Sequence, residues 1–198
     1  MFFLALVLAC TLVTGCDSCQ SGNANQEDYD GVEQDFTAGV DNIQALHRQT
    51  MYALVNGQFE WRNSRVLFND TITLENIDIL HIVDVTDVFQ YWDEQGPKVR
   101  MISSNIEKGT IITPAIPDVW IEDASLNQAE IKLTADDVLQ RLKEWNGIIP
   151  AAVGMSLRLP VGPQECNAQW VIGDVYDVIF VDAVTGDVTD WCPAFPRD

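Results

Sequence analysis

The chain has 198 residues, of which 30 are Asp or Glu and 11 are Lys or Arg, giving a formal net charge of -19. The basic residues are scattered, so nucleic acid is excluded as a partner, because gripping a polyanion takes a concentrated basic surface. Only two histidines occur, His47 and His81, which narrows metal and acid–base chemistry from the outset.

Residues 1–15 carry no charged side chain, and the run MFFLALVLACTLV has an apolar core of roughly ten residues, the length of a secretory signal and well short of a spanning helix. It lacks the usual basic start. Composition turns polar abruptly at Gly15-Cys16-Asp17-Ser18. The preceding Val13-Thr14-Gly15-Cys16 resembles the bacterial lipobox, in which an aliphatic residue, a small residue and Gly or Ala precede a cysteine that is acylated and becomes the new N-terminus. The resemblance implies an exported protein with Cys16 as the lipidation site, held at a cell-envelope membrane. Asp17 directly after the modified cysteine implies the inner membrane by the enterobacterial sorting rule. The two or three acyl chains of such proteins anchor stably, at ~0.8 kcal/mol per buried methylene. Anionic headgroups would repel so acidic a domain, leaving the lipid as its attachment.

Residues 16–35 form an acidic, polar stretch with the composition of a flexible tether. Asp28-Tyr29-Asp30-Gly31 invites an EF-hand reading, but with Gly31 sixth in the loop, Gln26 and Thr37 fall where carboxylates are needed. The tether reading is the better one. Residues 36–198 constitute the domain proper, with halves at 36–125 and 126–198 suggested by the order of elements.

That domain opens with apolar residues at helical spacing, Phe36, Val40, Ile43, Leu46 and Leu54, with Asp35 as cap and Asn56-Gly57 as stop, predicting about twenty helical residues. Arg65–Phe68 and Thr71–Leu74 flank Asn69-Asp70 and predict a tight hairpin. The run IDILHIVDV is apolar on both alternating faces and predicts a central strand. DVFQYWDEQG fits either a short helix ending at Gly96 or another strand. PKVRMISSN and GTIITPAIPDVWIED read as further strands, with Pro114 and Pro117 suiting an edge or loop. A second helix is predicted in KLTADDVLQRLKEWNG, with Thr134 and Asp137 as a capping box and Asn146-Gly147 as its end. Strands follow at AAVGMSLRLP, QWVIG and YDVIFVDAVTGDVTDW, the last turning at Thr185-Gly186. The fold class is α+β: an antiparallel sheet with two main helices, arranged as two α-then-β halves packed together.

About residues 133–190 are similar to a PepSY domain. The likeness rests on the helix TADDVLQRLKEW, the strands AAVGMSLRLP and QWVIG, and the closing pattern YDVIFVDAVTGDV. The PQECN insertion departs from it. The resemblance implies a helix on a small antiparallel sheet and a module for which peptidase inhibition or protein binding has been proposed. It implies no catalytic residues.

Past the leader the cysteines are Cys16, Cys19, Cys166 and Cys192. With Cys16 acylated, a Cys166–Cys192 disulfide is the simplest pairing for an exported chain; it would close about 25 residues and stabilise by ~3 kcal/mol in the chain-entropy model. Cys19 is then a lone thiol in the tether.

No nucleophile elbow, zincin, P-loop or dinucleotide motif occurs. No catalytic residue, metal ligand set or cofactor is expected. The leading expectation is a membrane-tethered lipoprotein whose domain binds an envelope protein or peptide. An envelope hydrolase is the competing reading, and requires a cleft gathering at least two of Asp78, Asp84, Asp87 and His81, with His81 or His47 assisting. A structural or calcium-dependent adhesion module is the third, through Asp182, Asp187 and Asp190 around the final hairpin.

Overall fold

The computed structural model describes residues 39–174 and 176–195. The leader, Cys16, Cys19, the tether and the expected cap Asp35 lie outside the described residues. Helix α1 (Val40–Val55) begins at Gly39, whose φ of 86° a residue with a side chain would adopt only with strain. It ends as expected, with Asn56 left-handed at φ 56° and Gly57 following at φ 109°.

Strand β1 (Glu60–Phe68) then pairs with β2 (Ile82–Asp93). The hairpin expected at Asn69-Asp70 does not form. The chain instead loops out over residues 70–81, where Ile77–Ile79 make a single 3-10 turn, and returns so that Asn69 N–H donates to the His81 carbonyl at 2.9 Å. The 77–85 strand is therefore corrected: it starts only at Ile82, because Asn76 and Thr73 cap each other's backbone and hold the preceding residues in a turn. Conversely, the ambiguous DVFQYWDEQG is strand, continuing β2 to Asp93; its aromatic and β-branched residues suit a position paired on both edges.

A tight turn leads to β3 (Gly96–Asn105), then β4 (Gly109–Ile112) and β5 (Asp123–Ala124). Helix α2 (Ala135–Glu144) has the expected capping box, with Thr134 Oγ1 accepting from Asp137 N–H and the Asp137 carboxylate accepting from Thr134 N–H. It stops a turn earlier than expected, at an extended Trp145 (φ -81°, ψ 130°) and not at Asn146-Gly147. Strands β6 (Gly154–Pro160), β7 (Gln169–Gly173), β8 (Val178–Asp182) and β9 (Val188–Thr189) complete the described elements.

All nine strands join one antiparallel sheet in the order β4-β3-β2-β1-β6-β7-β8-β9, with β5 against the end of β6. Each helix precedes a run of sheet strands, and the first strand of each run, β1 and β6, meets its counterpart at the centre. Register assigns residues to faces, since directly paired residues point the same way. Val66, Val85, Phe89, Leu157, Trp170 and Ile179 share one face and one buried cluster with Ile43 and Met51 of α1 and Val138, Leu139 and Leu142 of α2. The opposite face is free of helices. Residues 113–122 cross its β2–β3 end, where Ile116 bridges to Val99 and Trp120 N–H donates to the buried Gln90 side chain at 3.0 Å. None of the helices described is long and apolar enough to cross a membrane.

Candidate functional site

The interior beneath α1 holds a polar network with no apparent signal in the sequence. Helical spacing puts Gln44 and His47 on the same stripe as Ile43 and Met51, so both are driven into the sheet. His47 Nδ1 lies 2.7 Å from Asp87 Oδ2 on β2, and its Nε2 lies 2.6 Å from Ser104 Oγ on β3. Trp61 Nε1–H donates to the other Asp87 oxygen at 3.0 Å, and Gln44 donates to Ser64 Oγ at 2.8 Å.

The order Asp87–His47–Ser104 is that of a hydrolase relay, carboxylate to imidazole to hydroxyl. Exposure decides what it does: all three residues are 0% accessible, so no substrate reaches Ser104 Oγ. With both Asp87 oxygens and both imidazole nitrogens engaged, the network pins α1 to β2 and β3.

The carboxylates and the histidine named for a cleft are dispersed. Asp78 pairs with Lys143 at the surface, and Asp84 accepts from Thr86, Ser103 and Asn105 on the helix-free face. Asp87 is sealed on the other face, and His81 is exposed ahead of β2, its N–H bonded to Asn69. Asp182 accepts from the Val184 and Thr185 amides at 2.8 and 2.9 Å and from Asn167 at 2.9 Å. Burial would raise its pKa, yet these bonds together with one from Gln169 hold it below the usual carboxylate value. Asp187 accepts the Thr185 hydroxyl, and Gly186 supplies the turn's left-handed φ of 81°. Among the described residues no group of three or more His, Cys, Asp or Glu is placed to hold a metal ion.

Cys166 and Cys192 are both partly buried and both free in this structure. Their segments pass side by side, since Gln164 N–H donates to the Ala194 carbonyl at 3.1 Å. Burial raises the Cys166 pKa first, and the neighbouring Cys192 and Asp182 raise it further. At neutral pH Cys166 is therefore a thiol of reduced reactivity.

The helix-free face has a groove of about 450 Å³ where β1, β6 and β7 meet the 151–153 segment. Arg65 stands at its β1 side with Ser156 beside it in register, Leu67, Val153 and Val171 provide apolar wall, and Asp174 closes another part of the rim. Gly154 and Gly173 are required where backbones approach: a Cβ on Gly154 would fall 2.4 Å from the Val66 carbonyl oxygen, and one on Gly173 2.1 Å from that of Asp177. Arg65 is exposed and has neither ion pair nor hydrogen bond among the described residues. Arg158 shares this face, being paired with Asn63 two residues from Arg65.

Comparison with known proteins returns no match: no family model fits the chain, and no curated protein or solved structure is significantly similar to it.

Proposed function

We propose that this is an exported, lipid-anchored envelope protein, a binding module and not a catalyst, whose domain takes a protein or peptide on the helix-free face of its sheet. The observation that carries the binding reading is the groove beside an exposed, unpartnered Arg65 on the one face left without helices. A pocket of several hundred cubic ångströms with apolar walls and a single charged group is the usual form of a binding site. The Asp87–His47–Ser104 network offers no competing site, because it is sealed.

The anchor reading rests on the uncharged leader and on Val13-Thr14-Gly15-Cys16, with Asp17 favouring the inner membrane. The likeness of residues 133–190 to PepSY domains favours protein binding over chemistry. In this reading the halves 36–125 and 126–198 pack through β1 and β6, and Cys166 and Cys192 close as a disulfide in the oxidising envelope, tying the C-terminal segment beside the 162–166 loop.

Site-specific photo-crosslinking in the intact envelope tests the binding reading. A crosslinker at Val153 is expected to trap a discrete partner that one at Gln49, on the exposed side of α1, does not. Equal or absent trapping at both positions would overturn it. Intact mass tests the anchor: cleavage before Cys16 with added acyl mass is expected, and its absence in unchanged full-length chain would remove that part. A 2 Da deficit lost on reduction, and absent from Cys192→Ser, is the expected sign of the disulfide.

A further inference from the structure

We infer that the groove on the helix-free face binds an extended apolar peptide segment bearing a single carboxylate, which Arg65 grips. The inference rests on the peptide-binding reading above and narrows it to a ligand chemistry.

Charge is the first argument. On a chain of net charge -19, a guanidinium has abundant carboxylates to pair with, and four of the described Lys and Arg residues do form ion pairs with Asp or Glu: Arg62, Lys98, Arg141 and Lys143. Arg65 does not. It is exposed at the groove, with Thr86 and Ser156 as its direct cross-strand neighbours, neither of which neutralises it. A planar guanidinium left open in this way presents two parallel N–H donors, the geometry that a carboxylate matches.

The lining supplies the second argument. Beyond Arg65 the side chains are those of Leu67, Val153 and Val171, which reward apolar contact and offer no further cation. Asp174 lies in the same rim and already accepts the Tyr176 and Asp177 amides, so it stays ionised and repels a second acid. One negative group followed by apolar side chains is the ligand that meets both conditions. That carboxylate can be a peptide's C-terminus or an acidic side chain, and the two sources are separable by experiment.

The test uses fluorescence anisotropy with the full lipidated chain in detergent micelles and three fluorescein-labelled probes: Gly-Ala-Leu-Val with a free C-terminus, the same peptide amidated, and amidated Gly-Ala-Leu-Glu-Val. The free-carboxylate probe is expected to bind, and to weaken about tenfold or more on amidation and in Arg65→Gln, the scale of one charge-assisted bidentate contact. Arg65→Lys should recover part of the loss. Retention of affinity by the Glu-containing amide, with the same sensitivity to Arg65→Gln, assigns the side-chain source and equally supports the inference. Arg65 is a surface residue, and an unchanged melting temperature in Arg65→Gln certifies the variant's fold.

Equal affinity for all three probes, untouched by Arg65→Gln, would overturn the carboxylate requirement while leaving peptide binding intact. Failure of every probe to bind, with crosslinking from Val153 still trapping a partner, would overturn this inference alone. Failure of both assays would overturn the parent reading too.

Discussion

The two helices bury their inner faces in the same cluster but reach it by different chemistry. Helix α2 sends in only apolar groups, Ala135, Val138, Leu139 and Leu142. Helix α1 sends in Val40, Ile43 and Met51 and, among them, Gln44 at 2% and His47 at 0% exposure. Apolar burial is non-directional, so α2 is held by area and shape. A buried imidazole must find partners at set distances, so α1 is held in one position along the sheet, where Asp87 and Ser104 meet His47. Its ends match this division: α2 carries a capping box, whereas α1 starts at a glycine with no side-chain cap. Helix α1 depends on the sheet for what α2 partly supplies itself.

The largest expected effect comes from breaking the polar docking. His47→Ala would leave Asp87 buried beside Trp61 without its main partner, and removing one member of such a pair typically costs about 3–5 kcal/mol. Urea unfolding should show that loss. Replacing the set together, His47→Leu with Asp87→Leu and Ser104→Ala, should recover much of it, because no charge is then stranded. If the triple variant is no more stable than His47→Ala, the network is a source of net stability and not chiefly of position. On the other helix, Leu142→Ala removes a 0%-exposed side chain and should cost about 2–5 kcal/mol through transfer and cavity terms. Here no second substitution is expected to compensate, since nothing polar is stranded. Thr134→Ala, which deletes the cap, should cost about 1 kcal/mol by the same measurement.

Much of this architecture was legible from periodicity. Both helices, the capping box, the Asn56 stop and the Thr185-Gly186 turn were visible because each depends on residues within a few positions of one another. The failures share a cause. Asn69-Asp70 has the composition of a hairpin turn, yet β1 pairs with Ile82 because the loop through Ile72 and Ile77 buries those residues instead. Asn146-Gly147 looks like a helix stop, yet α2 ends earlier, at an extended Trp145 whose partly buried side chain packs against the core. Tertiary burial outweighed local turn chemistry at both places. The Asp87–His47–Ser104 network spans 57 residues of sequence between its ends, and only Gln44 and His47 on an apolar stripe hinted at it. Arg65 looked ordinary, because its isolation from acids is a property of the sheet's register and not of its neighbours in sequence.

The smallest expected effect tests where the two helices feel each other. Asp41, in the first turn of α1, has its pKa raised by loss of hydration, then by the Asp137 and Asp136 carboxylates of α2's first turn, with Arg48 pulling the other way. A helix N-terminus normally favours a carboxylate, so a raised pKa means that repulsion between the two capped ends outweighs the dipole at this position. The sign follows from linkage. The folded state holds the Asp41 proton more tightly than the unfolded chain, so protonation favours folding: this contribution is fully present below the unfolded pKa and lost as pH rises through the folded one. Asp41→Asn removes the charge at every pH. It should therefore raise the melting temperature slightly at neutral pH, and the advantage should shrink as pH falls through the acidic range and vanish once Asp41 is protonated in both states. Because Asp41 is exposed to solvent, salt should also shrink the neutral-pH advantage. An advantage that persisted unchanged into acid would mean that the asparagine acts through capping and not through charge, and the two helix ends would then be electrostatically independent.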